Sequence, residues 1–237
     1  MPGASASDLE RLDQALPSNV SGLSFAQPEF VSASQGKVRV HSVSSPQHVA
    51  RHLGVLGDRL LDASQAFAAL NFYDLALRIG HEPSLLIKRA EALFHLGRME
   101  EAQRELFSAL EIEPKNAEAL FWMGRVALHR ERHEEAVRYF SRVQKVTSHT
   151  PDWQEVARTY LQFASIYQER DQLHLRNLKP RDYVLEIEKL RTKAQDLRQE
   201  VCSARQAHLQ GMALHLDALE NLFSSWLREL QSNSYQT

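Results

Sequence analysis

One spacing recurs through the middle of this sequence and restricts the fold more than any other feature. Five columns of small or apolar residues repeat at intervals of 33 and then 34 positions. The columns are Gly57, Ala90 and Gly124; Ala69, Ala102 and Ala136; Leu53, Leu86 and Leu120; Tyr73, Leu106 and Phe140; and Ala76, Ala109 and Val143. Chance does not explain five concordant columns, and a period of this length is typical of stacked supersecondary units.

Within each repeat the apolar spacing predicts two helices that face each other. In the second repeat, Gly97 and Arg98 supply the turn between the helices, and Pro114 ends the second one. The two facing stripes of that repeat are Leu86, Ala90 and Leu93, and Ala102, Leu106 and Ala109. Small residues in both stripes allow close approach of the helices, so the repeat reads as a helical hairpin.

Two stretches of the chain resemble the tetratricopeptide repeat family. They are LLIKRAEALFHLGRMEEA at 85–102, and ALFWMGRVA at 119–127 followed by EAVRYF at 135–140. The resemblance implies an all-α fold, with three helix-pair repeats forming a short α-solenoid. Glycine and proline are scarce after residue 47, and Ala, Leu, Glu, Gln and Arg are abundant, which agrees with an all-α chain.

The segments on either side of the repeats differ in composition. Residues 1–48 are rich in serine and proline and predict a disordered head. The repeat domain is expected over 49–172, because a further helix from Trp153 carries Tyr160, Phe163 and Tyr167 at the spacing of a first repeat helix. We interpret that helix as a cap on the third repeat, with a degenerate fourth repeat as the alternative.

Residues 180–232 show seven-residue apolar periodicity, which predicts a long coiled-coil-like helix. The register slips by one position beside Gly211, which indicates either a local distortion or a bend. Such a helix needs a partner. That partner is a second copy, another protein's helix, the repeats, or the other half of the same segment.

Composition and motifs argue against several functional classes. The net charge of -2 and the scattered basic residues predict no nucleic-acid partner, and the apolar runs are too short for insertion in a membrane. The one cysteine, Cys202, favours a reducing compartment, so the cytoplasm is expected and the nucleus is not excluded.

No catalytic signature is present, so we expect no enzyme activity and no cofactor. His129 and His133 stand four positions apart, but position 133 is expected in a turn. We therefore predict solvated turn histidines and no metal site.

The family resemblance implies that the first helix of each repeat lines a concave groove that binds partner proteins. Phe121 and Trp122 are the most informative pair, because neighbouring residues already fill the packing positions; they are partner anchors, or else core residues covered by the C-terminal helix. The predicted groove residues are Ile87, Lys88, Glu91, Phe94, His95, Phe121, Trp122, Arg125, Leu128 and His129.

A subfamily of these repeats clamps the acidic tails of chaperones with cationic and amide side chains. The corresponding positions here are Gly54, Asp58, Lys88, Glu118 and Trp122, of which only Lys88 is cationic, so that clamp is disfavoured. The sequence therefore predicts a non-enzymatic adaptor or scaffold that captures a partner peptide or helix in the groove. The alternative is a chaperone or co-chaperone that shields apolar client segments.

Overall fold

The structure, a computed structural model, describes residues 45–146, 151–173, 175–203 and 209–234. The predicted disordered head lies outside the described residues up to Ser44. The first helix already begins at Pro46, three residues before the predicted boundary, and proline at the first helical position fits the fixed backbone angle of its ring.

The described part of the chain folds into helices and contains no strand. Their bounds are α1 Pro46–Asp62, α2 Ala66–Ile79, α3 Pro83–His95, α4 Met99–Ile112, α5 Ala117–His129, α6 His133–Lys145, α7 Pro151–Leu173, α8 Pro180–Ser203 and α9 Gln210–Ser234. The first six follow one another as the three predicted pairs. The all-α, tetratricopeptide-like fold is therefore confirmed.

The chain divides into two compact units, and the division falls inside α3, between Ala92 and Leu93. In the first unit α1 packs on α2, and in the second α5 packs on α6. The predicted repeat domain, 49–172, did not include this division, and its limits stay a prediction.

The turn inside each helix pair has the same backbone design. Ser64, Gly97 and Glu131 occupy equivalent positions and all have positive φ, at 60°, 75° and 58°. The residue after each of them donates its backbone N–H to a carbonyl five positions earlier, with N···O distances of 2.8, 2.9 and 2.9 Å. This is the Schellman pattern, which satisfies carbonyls that the helix end leaves unpaired. Only the second repeat uses glycine there.

A glycine faces an aromatic ring in two of the helix pairs. A Cβ on Gly57 would lie 2.6 Å from Tyr73 Cε1, and a Cβ on Gly124 would lie 2.5 Å from Phe140 Cε1. Tyr73 also donates its hydroxyl to Asp58 Oδ1 at 2.7 Å, and burial together with that carboxylate raises the pKa of the tyrosine. The absence of a side chain at each glycine allows the ring to lie against the backbone of the facing helix.

In the second unit α7 packs on α5 and α6. Gln144 on α6 donates to the backbone carbonyl of Gln154 at 2.5 Å, and Gln154 donates to that of Val146 at 2.7 Å. The helix predicted as a cap thus covers the third repeat, but α8 packs on its other side, so α7 is not the last layer.

The segment 180–232 forms two helices where the periodicity predicted one. α8 and α9 pack against each other in antiparallel orientation. Gln195 donates to Glu220 at 2.6 Å, and Arg198, further along α8, pairs with Asp217, which comes earlier in α9. Both apolar seams are buried, with Leu190 and Phe223 less than 3% exposed. The one-residue slip in register lies between two seams that face each other. Of the two interpretations of the slip, the bend is the one that the structure has.

Candidate functional site

A cleft of about 360 Å³ in the second unit gathers aromatic and basic side chains from five helices. One wall is the exposed side of α5 with the end of α3, and the other is α7, with α6 and α9 at the edges. The lining residues are Phe94, Arg125, Leu128, His129, His133, Tyr160, Phe163, Tyr167, Met212 and His215. The helices α5, α7 and α9 contribute residues about one turn apart, as helical spacing requires, and α3 and α6 contribute one residue each.

Arg125 lies at the centre of the aromatic wall. Its Cζ atom is 4.7 Å from the ring centroid of Phe94, 4.9 Å from that of Trp122 and 5.5 Å from that of Tyr160. Three ring faces hold one guanidinium by cation–π attraction. Although His95 is exposed on one side, its partial burial and the charge of Arg125 both lower its pKa. Burial raises the pKa of Tyr160 although Arg125 opposes that rise.

The two rings predicted as anchors are core side chains. Phe121 is 2% exposed and Trp122 is 4% exposed. Phe121 packs on Trp153 and Tyr160 of α7, with centroids 5.0 and 5.1 Å apart, and Trp122 packs on Phe94 at 5.4 Å. The intramolecular alternative fits this burial. However, the helix that covers Phe121 is α7 and not the C-terminal helix.

His133 differs from its predicted environment. It begins α6 and is 7% exposed, its Nδ1 lies 2.5 Å from Asp171 Oδ2, and its ring stacks on Tyr167 at 4.9 Å. The prediction of a solvated turn histidine is wrong at this position, because α7 covers the start of α6. Burial raises the pKa of Asp171, but hydrogen bonds from Arg170 and His133 hold it below its ordinary value.

Three predicted groove residues belong to the first unit. Ile87 is 1% exposed, so its side chain is core. Lys88 and Glu91 are half-buried and form an ion pair with each other, with Nζ and Oε2 3.0 Å apart. A role for these three side chains in partner contact stays a prediction.

The structure brings four of the predicted groove residues together in the cleft: Phe94, Arg125, Leu128 and His129. His95 is exposed beside them, with its ring 6.0 Å from that of Trp122. The wall of the cleft that α7 forms was not predicted from the sequence. Its stripe of Tyr160, Phe163 and Tyr167 was visible in the sequence but was assigned to capping alone.

A larger depression of about 580 Å³ lies beside the loop between α4 and α5. It is lined by 113–118, which are the loop and the first residues of α5, and by Trp153 of α7. The aromatic cleft is the better candidate, because several elements converge there around a cation.

Across the ranges that the structure covers, no group of three or more His, Cys, Asp or Glu side chains could hold a metal ion. None of the helices described is both long and apolar enough to span a lipid bilayer.

One family model matches the chain, that of the Coatomer epsilon subunit, over residues 62–170. No curated protein matches. The matched residues extend from the end of α1 into α7, and so include Phe94, Arg125 and the aromatic stripe of α7.

Solved structures with similar folds include the TPR domain of Arabidopsis OM64, at 22% identity and a TM-score of 0.44, covering 49% of this chain and 96% of that one. A MamA RS-1 double mutant shows 18% identity and a TM-score of 0.46, with coverages of 79% and 97%. A putative kinesin light chain of Podosopora anserina with TPR-like repeats shows 12% identity and a TM-score of 0.48, with coverages of 83% and 100%.

Proposed function

We propose that this protein is a non-enzymatic interaction scaffold that binds a segment of a partner protein in the cleft between α5 and α7. The observation that carries the proposal is the cleft itself, an open concave surface whose aromatic walls surround a guanidinium. Aromatic residues and arginine are the side chains most enriched at the energetic centres of protein interfaces.

The size of the cleft suits a short segment. About 360 Å³ is within the range of ordinary ligand sites, and it accommodates two or three side chains of a peptide or helix. Leu128 supplies a half-buried apolar contact, while His129 and His215 are exposed at the rim. An apolar centre with a polar rim is the usual anatomy of an interface.

The name of the matching family model is compatible with this proposal, because it describes a subunit of an assembly. The cytoplasm remains the expected location. We propose no chemistry for the protein, since the cleft presents neither an activated nucleophile nor a pair of carboxylates.

The test is peptide selection on the full chain followed by variants. A display library of random peptides is selected on the wild-type protein, and the affinity of the best peptide is measured by fluorescence anisotropy. Leu128→Glu, which places a charge in the apolar part of the cleft, should weaken binding at least about tenfold. Ile112→Glu is the control, because Ile112 is 55% exposed on α4 outside the cleft.

If the two variants lose peptide affinity equally, or if neither loses any, the cleft is excluded as the binding site. Suppression of aggregation of unrelated unfolded proteins, without selection of defined peptides, would favour the chaperone alternative instead.

A further inference from the structure

The guanidinium of Arg125 is held in place but makes no polar bond within the described part of the chain. It has three cation–π contacts and no hydrogen bond or ion pair with a described residue. Other arginines of the same unit differ. Arg130 donates to Gln103 and Glu100, and Arg170 donates twice to Asp171.

The three rings contact the guanidinium of Arg125, and no described residue accepts a hydrogen bond from its N–H groups. A guanidinium carries five donors in a rigid fork, which matches the two oxygens of a carboxylate. Because the aromatic wall already removes part of its hydration, binding an anion costs less further desolvation than it would at an exposed arginine. Low local polarity also strengthens the attraction between opposite charges.

The lining around Arg125 contains no acidic side chain. The cleft lining contains Arg125 and three histidines, at 129, 133 and 215, and no aspartate or glutamate. Of the carboxylates beside the lining, Asp171 is paired with His133 and Arg170, and the charge of Glu131 acts on Tyr167. An acidic side chain entering the cleft therefore meets a cation without a competing anion in the lining.

We propose that Arg125 is the specificity residue of the cleft and that it binds the carboxylate of an aspartate or glutamate within the partner segment. An apolar side chain of the same segment packs on Leu128 and Phe163 beside it. This inference rests on the proposed function and adds the chemistry of the partner. The chaperone-tail clamp positions, among them Lys88 and Glu118, do not line the cleft, so the carboxylate need not be a chain terminus.

The experiment uses the full chain and a library of random peptides whose C-termini are amidated. Peptides selected on the wild-type protein should be enriched in aspartate or glutamate next to an apolar residue. For the best peptide, replacing the acid by its amide should weaken binding at least about tenfold, as expected for loss of a charge-assisted hydrogen bond.

Arg125→Met keeps the apolar stem and removes the charge. It should bind the acidic peptide and its amide counterpart equally, at the weaker affinity. Arg142→Met is the matched control, because Arg142 also lies over a ring, that of Tyr139 at 5.9 Å, but on the exposed face of α6 away from the cleft. The control should retain the preference for the acid.

Selected peptides that bind through Leu128 but show no acidic enrichment would overturn the inference and leave the proposed function intact. The same holds if Arg125→Met keeps the full preference. Failure to select any peptide would instead contradict the proposed function. Should Arg125→Met fail to fold by circular dichroism, the acid and amide peptides on the wild-type protein decide the question alone.

Discussion

At the scale of single residues, the columns of the repeat correspond to specific contacts. Gly57 and Gly124 belong to one column, Tyr73 and Phe140 to another, and each glycine touches the ring of its own repeat. The second repeat has Ala90 and Leu106 in these two columns. A larger residue on one side thus accompanies a smaller one on the other, as close packing of side-chain volume requires.

We expect Gly124→Ala to destabilise the protein although alanine is the better helix former. The added methyl group would clash with Phe140, which is fully buried, and overpacking of this kind costs about 1–3 kcal/mol of unfolding free energy. Phe140→Leu should relieve the clash, because it recreates the alanine and leucine combination of the second repeat. Urea denaturation of the single and double variants measures the coupling, and strictly additive losses would contradict the assigned contact.

The environment of a residue could be predicted from the sequence where it depends on the repeat period, but not where it depends on a distant segment. The spacing placed Phe121 on the first-helix face of its repeat but did not reveal that Trp153 and Tyr160 cover that face. His133 was assigned to a turn for the same reason. Its partner, Asp171, is 38 positions away, and nothing in the local pattern connects the two.

At the scale of elements, the turns within the helix pairs are equivalent in geometry but not in sequence. The position that requires positive φ holds serine, glycine and glutamate in successive repeats. A side chain with a Cβ atom is strained in that conformation, whereas glycine is not. The first and third turns are therefore less stable than the same turns would be with glycine at this position.

We expect Glu131→Gly to raise the unfolding free energy by about 0.5–1 kcal/mol, since it removes the strain of the left-handed conformation. Gly97→Ala should have the opposite effect, with a loss of about 1 kcal/mol. Glu131→Ala is the control and should be nearly neutral. Thermal denaturation followed by circular dichroism provides the comparison, and a loss of stability in Glu131→Gly would show that its side chain is needed in the turn.

The periodicity of α8 and α9 predicts which residues are buried but not which helix buries them. Most residues of the seven-residue pattern are buried, among them Leu190, Leu197 and Leu216, but Trp226 is half-buried and its neighbour Leu227 is buried instead. The pattern could not specify whether the complementary seam belongs to another chain or to the same one. The slip in register beside Gly211 was the local sign of a hairpin, and the ion pair between Arg198 and Asp217 gives its orientation.

At the scale of the whole molecule, the hairpin of α8 and α9 removes the need for self-association that an unpaired helix would have. Each seam is already buried against the other or against α7. We expect the full chain to sediment as a monomer over a dilution series at micromolar concentration. A concentration-dependent dimer would show that another surface, such as the exposed Phe67 or Leu214, joins two copies.

Met212 and His215 line the cleft from α9, more than eighty positions after Arg125 in the chain. A fragment trimmed to the recognisable repeats would keep the arginine and lose that rim. Binding measured on such a fragment would test only part of the proposed site, so these experiments need a chain that extends through α9.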